Sequence, residues 1–277
     1  MHLIETRDLC YTYPGKVTAL NNITFIAPRN SRIAVIGSNG AGKSTLFKHF
    51  NGIFKATSGS VLIRGEPITK QNIKEIRKFI GIVFQNPDDQ IFSPTVEQDI
   101  AFGPTNLGLD GETIHHRVHE ALRVVGIEHL AHRVPHHLSG GEKKRVAIAG
   151  VIAMEPEVLV LDEPNAGLDP RGVTDLNAFI NSLPKKYGMT VIFSTHDVGL
   201  VPEVADYIYV MDKGRIVAQG TTDEIFVQPD MLRSVRLDVP VIPRLLKSLK
   251  EHGVDVSMAY TYADAEESLL KAFGKRS

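Results

Sequence analysis

Only one cysteine, Cys10, occurs in 277 residues, which excludes an intrachain disulfide and suits a reducing compartment. No apolar run approaches the roughly 18 residues of a membrane-spanning helix. If the protein works at a membrane, another chain supplies the spans. Neither sign of charge dominates, with 31 Lys and Arg against 32 Asp and Glu. Bulk electrostatics therefore give no reason to expect nucleic acid or an anionic bilayer as a partner. The opening MHLIETRDLC has neither a basic nor an apolar stretch, so no secretory signal is expected and a soluble, cytoplasmic chain is. Short-period repeats and low-complexity tracts are also missing. The length suffices for a sizeable core, as one large domain or one domain with an appendage.

The first part of the chain alternates short apolar runs with turn signals. LIETRDLCYTY, ALNNITFIA, SRIAVIG and GSVLIRG read as strands. STLFKHFNGIF, 44–54, reads as a helix, with Leu46, Phe47 and Phe50 at core spacing. Strands are expected at 80–84, 158–161 and 191–193, with a helix over 173–182 and a helical region from about 95 to 153. Segments 207–211 and 215–218 read as a hairpin around Lys213-Gly214. Strands separated by helices imply a mainly parallel α/β sheet, whose ligands bind at the carboxyl ends of the strands. After Pro229 the composition changes, and PVIPRLLKSLKEHG and DAEESLLKAFG read as two short amphipathic helices of an appended segment.

The polar motifs fall at those strand ends. GSNGAGKST, Gly37 to Thr45, fits G-x-x-x-x-G-K-[ST] between a strand and a helix. Gly37, Ser38, Asn39, Gly40, Ala41 and Gly42 would wrap backbone N–H groups around phosphate oxygens, and the helix start adds partial positive charge. Lys43 would reach the β- and γ-phosphates, Ser44 would hold Mg²⁺, and Thr45 could add a hydroxyl contact. VLVLDEP delivers two acids: Asp162 to bind Mg²⁺ and Glu163 to accept a proton from an attacking water. By itself a strand ending in Asp-Glu is as readily a solvated strand end; beside a phosphate loop it is a catalytic candidate. STHD ends another apolar strand, and His196 there can hydrogen-bond a γ-phosphate and help position water. Gln85, in VFQNPDDQIF, follows a strand too, and its amide can bind Mg²⁺ or orient water.

LSGGEKKR is a second glycine-marked helix start. Ser139 and Glu142 form a capping box, but Gly140 and Gly141 weaken a helix unless something must approach the backbone. The chain's own nucleotide is already served by Lys43 and its loop. The economical reading is that this second anion site faces another subunit's nucleotide.

The order GSNGAGKST, Gln85, LSGGE, VLVLDEP, AGLD and STHD resembles the nucleotide-binding subunits of ATP-binding-cassette (ABC) transporters, from about residue 3 to 227. The resemblance implies a P-loop NTPase fold with a mainly parallel sheet, an antiparallel β subdomain and an inserted helical subdomain at about 95–153. The ATPase domain would be 1–229, and 230–277 a C-terminal segment with a possible role in dimer contact. It also implies a head-to-tail dimer, each ATP lying between one subunit's phosphate loop and the other's LSGGE signature. Ser139 and Gly141 would then touch the partner's γ-phosphate, Asp169 would link the two sites, and Tyr13, rather than Tyr11, would stack on adenine. FQNPDDQIFSPTVEQDIAFGPTNLG and KKRVAIAGVIAMEP resemble the cobalt/nickel and energy-coupling-factor importer ATPases. Those act, as homo- or heterodimers, on a transmembrane coupling protein and a substrate-binding membrane component. The chain would work as a peripheral subunit at the cytoplasmic face of the cell membrane, with ATP and Mg²⁺ as cofactors and no nucleic acid. Glu142 replaces the common Gln of the signature, and Asn165 stands where Ser or Thr is usual. A soluble ABC ATPase of repair or translation is the alternative. Repair types need a long coiled coil between Lys43 and the signature, and translation types usually carry two cassettes; neither feature is present. The histidines around His115 and His119 read as a solvated surface, with metal storage or sensing as the competing idea.

Overall fold

The computed structural model describes residues 2–274. The chain opens with β1 (His2–Thr12), β2 (Thr18–Pro28), β3 (Arg32–Ile36), α1 (Lys43–Phe50), β4 (Ser58–Ile63), β5 (Glu66–Pro67), α2 (Ile73–Phe79) and β6 (Ile80–Val83). Three helices follow: α3 (Val96–Asn106), α4 (Gly111–Val125) and α5 (Gly140–Ile152). Next come β7 (Val158–Leu161), α6 (Pro170–Tyr187), β8 (Thr190–Thr195), α7 (Val201–Val204), β9 (Tyr207–Asp212) and β10 (Arg215–Gly220). The chain closes with α8 (Thr222–Phe226), α9 (Pro229–Ser234), α10 (Val241–Glu251) and α11 (Tyr262–Ala272). Residues 275–277 of the expected C-terminal segment lie outside the described residues.

Two sheets form. One has four strands in the order β2-β1-β4-β5, all antiparallel. The other has six in the order β10-β9-β3-β8-β7-β6, parallel except for β10. The mainly parallel sheet and the antiparallel one are both as expected. The short runs VLVL and RIAVI read as strands because a parallel strand covered on both faces needs no polar alternation. Their side chains divide by period two between two cores. Ala34, Ile36, Leu159, Leu161, Val191 and Phe193 face the helices, whereas Ile33, Val35, Val158, Val160 and Ile192 face Phe25, Phe47 and Phe50 beneath the antiparallel sheet.

Register places the site. Ile36 pairs with Thr195, Leu161 with Phe193 and Val83 with Leu161, so β3, β8, β7 and β6 end along one edge. The loops beginning at residues 37, 84, 162 and 196 leave from that edge. The β9–β10 hairpin turns at Lys213 (φ 44°) and Gly214 (φ 76°), the two-residue left-handed turn that matches strand twist.

Two helices differ most from the sequence reading. The helix expected over 44–54 stops at Phe50, where Asn51 caps it. The helix expected over 173–182 runs from Pro170 to Tyr187, because Asp169 caps it at one end and Gly188 (φ 63°) at the other. Past the composition change, Leu232, Val235, Leu237 and Val239 still belong to the main core, and Leu246, Val256, Ala259 and Ala265 form a small cluster of their own.

Candidate functional site

The loop after β3 closes on itself before α1. Gly42 precedes the helix at φ 105°, and a Cβ there would lie 2.8 Å from the Ala19 carbonyl oxygen, so neither the backbone nor the space admits another residue without strain. Lys43 begins α1 and is 5% exposed. Its Nζ donates to the carbonyls of Gly37 at 2.7 Å and Ser38 at 3.2 Å, so the ammonium folds back over the loop that precedes it. Ser44 is half-buried and Thr45 buried. The Thr45 hydroxyl lies 2.9 Å from the Tyr13 hydroxyl, which brings that ring to the helix start. Tyr11 instead stacks on Phe54, with 5.0 Å between centroids. Ser38, Asn39, Gly40 and Ala41 line a small opening with Lys213 and Arg236.

The Asp162-Glu163 pair leaves the adjacent strand end. Ser194, fully buried, donates its hydroxyl to Asp162 Oδ1 at 2.6 Å and accepts the Glu163 N–H at 2.8 Å. Glu163 adopts φ 44°, a left-handed conformation that costs a non-glycine residue on the order of 1–3 kcal/mol and persists only where the surroundings impose it. Its carboxylate collects three groups. Lys43 Nζ lies 3.2 Å from Oε1, and His196 Nδ1 lies 3.1 Å and Gln85 Nε2 3.4 Å from Oε2. The buried ion pair, the ring and the amide hold one acid from three strand ends. Lys43, Gln85, Asp162, Glu163 and His196 thus come together.

Ser139, Gly140, Gly141 and Asp169 do not join them. Ser139 caps α5 in a full capping box: its Oγ accepts the Glu142 N–H at 3.3 Å, while Glu142 Oε2 accepts the Ser139 N–H and O–H at 2.8 Å each. Those bonds from the Ser139 hydroxyl and backbone hold the Glu142 carboxyl below the usual carboxylate range. Asp169 caps α6 by accepting the Gly172 N–H at 2.8 Å. Both helix starts open on a 630 Å³ cavity lined also by Leu168, Arg145 and Arg123, and none of residues 37–45 lines it. One chain therefore presents two separate openings, one beside residues 38–41 and one at the starts of α5 and α6.

Two functional residues are not evident from the motifs. Ser194 opens STHD, yet its partners Asp162 and Glu163 reach it only through the β7–β8 register. Lys144 is 2% exposed and donates to the Gln85 carbonyl at 2.6 Å. Its signal was helical phase: it shares the buried face of α5 with Ile148 and Val151. Burial pushes its ammonium down, while Asp162 and Glu163 pull it back up. Asn165 donates to Asn177 on α6 at 3.4 Å. Among the described residues no group of three or more His, Cys, Asp or Glu side chains could hold a metal ion, and no helix is long and apolar enough to cross a membrane.

Comparison with known proteins shows the family. The sequence profile of the ABC transporter family matches residues 20–166. The energy-coupling factor transporter ATP-binding protein EcfA of Methanoculleus marisnigri is 70% identical over 277 residues, covering 100% of both chains. Among solved structures, cbiO1 of Clostridium perfringens, described as part of the ABC transporter complex cbiONQ, superposes with a TM-score of 0.76 at 44% identity, covering 90% of this chain and 99% of its own. A dimeric ATP-binding cassette in a post-hydrolysis state with ADP and Pi gives a TM-score of 0.72 at 25% identity, covering 79% of this chain and 98% of its own. A phosphate loop, a buried acid gathered by Lys43, Gln85 and His196, and 70% identity over the full length all point the same way: the chain is an ATPase of the ABC transporter family, and it belongs with the energy-coupling factor ATP-binding subunits.

Proposed function

We propose that the chain is the ATP-hydrolysing subunit of an energy-coupling factor importer, driving uptake of a transition metal ion, cobalt or nickel, or of a vitamin through separate membrane subunits. The observation that carries the hydrolytic role is the convergence of Lys43, Gln85 and His196 on Glu163. A γ-phosphate reaching Lys43 competes with Glu163 for the ammonium. Release from that ion pair turns Glu163 from a counter-ion into a base able to take a proton from an attacking water. His196 and Gln85 orient that water and the γ-phosphate, residues 37–45 wrap the phosphates, and Tyr13 stacks on the adenine.

Ser44, Gln85 and Asp162 offer hydroxyl, amide and carboxylate oxygens, a hard donor set that fits Mg²⁺. Ser194 holds one oxygen of Asp162 and so orients the carboxylate. When bound, Mg²⁺ would supply positive charge against the negative charge developing on the transferred phosphate.

Ser139, Gly140, Gly141 and Asp169 face the nucleotide of a second ATPase subunit, identical or not. The separate openings support this reading, since the signature helix start serves no phosphate held by its own chain. The exposed Val241, Leu245, Tyr262 and Phe273 of the C-terminal segment add a second contact between subunits. Phe92 and Phe102, 60% and 49% exposed, meet edge to face beside a 440 Å³ cleft against α5. Exposed apolar surface beside a cleft supports docking of the transmembrane coupling protein, carrying its substrate-binding component, at this place. The chain then lies at the cytoplasmic face of the membrane.

Glu163→Gln tests the reading. The variant should bind ATP as the parent does and lose about a thousandfold in turnover, the scale of a positioned base. Membranes carrying it with its co-purifying membrane proteins should take up no labelled Co²⁺, Ni²⁺ or vitamin. Hydrolysis at the parent rate would remove Glu163 as the base; uptake unaffected by the loss of hydrolysis would remove the transport role.

A further inference from the structure

Two consecutive lysines at the start of α5 reach to the loop that carries Gln85. Lys143 pairs with Asp88 at 2.7 Å near the surface. Lys144 turns inward, and its Nζ donates to the Gln85 carbonyl at 2.6 Å. Burying an ammonium is costly unless its surroundings hold it. A lysine stem is long enough to carry its charge out to water, and a methionine would fill the same volume without that cost. Lys144 nevertheless stays 2% exposed, with Asp162 and Glu163 as the charges that attract it. On the other side of Gln85, the amide donates to Glu163 at 3.4 Å. A continuous path therefore runs within one chain from the start of α5, which Ser139 caps, through Lys144 and Gln85 to Glu163.

We infer that Lys144 is a positioning residue for hydrolysis: it fixes Gln85 against Glu163 and joins the signature helix start to the catalytic acid as one mechanical unit. Movement of α5 when a partner's nucleotide engages Ser139–Gly141 then shifts Gln85 directly, and Lys143–Asp88 braces the same loop from outside. This inference rests on the roles proposed for Gln85 and Glu163.

Steady-state ATP hydrolysis by the full chain tests it. Lys144→Met should lower kcat by about ten- to hundredfold, the usual effect of removing a supporting contact, with KM for ATP and the thermal midpoint nearly unchanged. Lys144→Arg, which keeps the charge and a donor, should recover most of the rate. In a Gln85→Ala background Lys144→Met should add less than about twofold, because both changes break one path. Full additivity, or a parent-like kcat for Lys144→Met, overturns the inference. If Lys144→Met does not fold, the exposed arm decides. Lys143→Glu should lower kcat and Asp88→Lys in the same chain should restore it; no loss, or no restoration, overturns the inference that α5 acts on the Gln85 loop. Glu163→Gln separates the two readings. If it still hydrolyses ATP, the base assignment fails; if it is inactive while Lys144→Met is normal, only the present inference fails.

Discussion

Glu163 sits where several weak preferences have been overruled. Its φ of 44° is unfavourable for a residue with a side chain, and the residue is 7% exposed. Both costs are offset by specific partners: Lys43 for the charge, Ser194 for the backbone N–H, His196 and Gln85 for the second oxygen. Ser194 is the least obvious of these and the most exacting, since one hydroxyl donates to Asp162 and accepts from Glu163. Ser194→Ala leaves a buried N–H unpaired and one oxygen of Asp162 without its donor. It should lower stability by about 1–3 kcal/mol, read as a lower denaturant midpoint at constant slope. It should also lower kcat by roughly ten- to hundredfold, because it frees both acids at once. A stable, fully active Ser194→Ala would show that strand register alone aims Glu163. The acids, Lys43 and His196 were legible because each closes an apolar strand or a glycine loop. Ser194 and Lys144 were not, because what makes them functional lies on other elements: Ser194 acts across two strands, and Lys144 resembles any lysine until helical phase puts it inside.

At the scale of elements, α5 does three things at once. Its first turn carries the signature, its inner face holds the Gln85 loop, and its last turns lie on β6. The last contact is close: a Cβ on Gly81 would meet Val151 Cγ1 at 2.2 Å and Pro156 Cγ at 3.3 Å. Valine is stiff at χ1 and cannot swing away, so the helix itself must move. Gly81→Ala should therefore cost about 1–3 kcal/mol of stability by overpacking. It should also reduce ATP turnover, since displacing α5 drags on Lys144 and Gln85. A stability loss with turnover intact would show that α5 shifts without carrying the Gln85 loop. The capping box that starts α5 was fully legible, because Ser139 and Glu142 stand three apart before an apolar run. The end of α1 was not. The apolar residues after Phe50 keep a helical spacing that masks the stop at Asn51, where Gly52 turns left-handed at φ 69°.

For the whole molecule, sequence and structure divide the work unevenly. Alternating strands and helices were enough to give the parallel sheet and the edge on which the acids meet. They were not enough to show that the two openings are separate, which depends on how three helices pack on the sheet. That separation makes assembly the testable property. Glu142 bears on the electrostatics of the shared site proposed above: its carboxyl, held below the usual range by Ser139, would put negative charge at the helix start where a partner's phosphate is proposed to dock. Glutamine at this position keeps the capping geometry and removes the charge. In a non-hydrolysing Glu163→Gln background, sedimentation should show a monomer without nucleotide and a dimer with ATP and Mg²⁺. Adding Glu142→Gln should lower the ATP concentration at half-dimerisation several-fold, and the difference should shrink as salt screens the repulsion. A monomer at every ATP concentration would refute the shared site. A midpoint that ignores Glu142→Gln would mean that its carboxylate caps α5 and never meets the partner's phosphate.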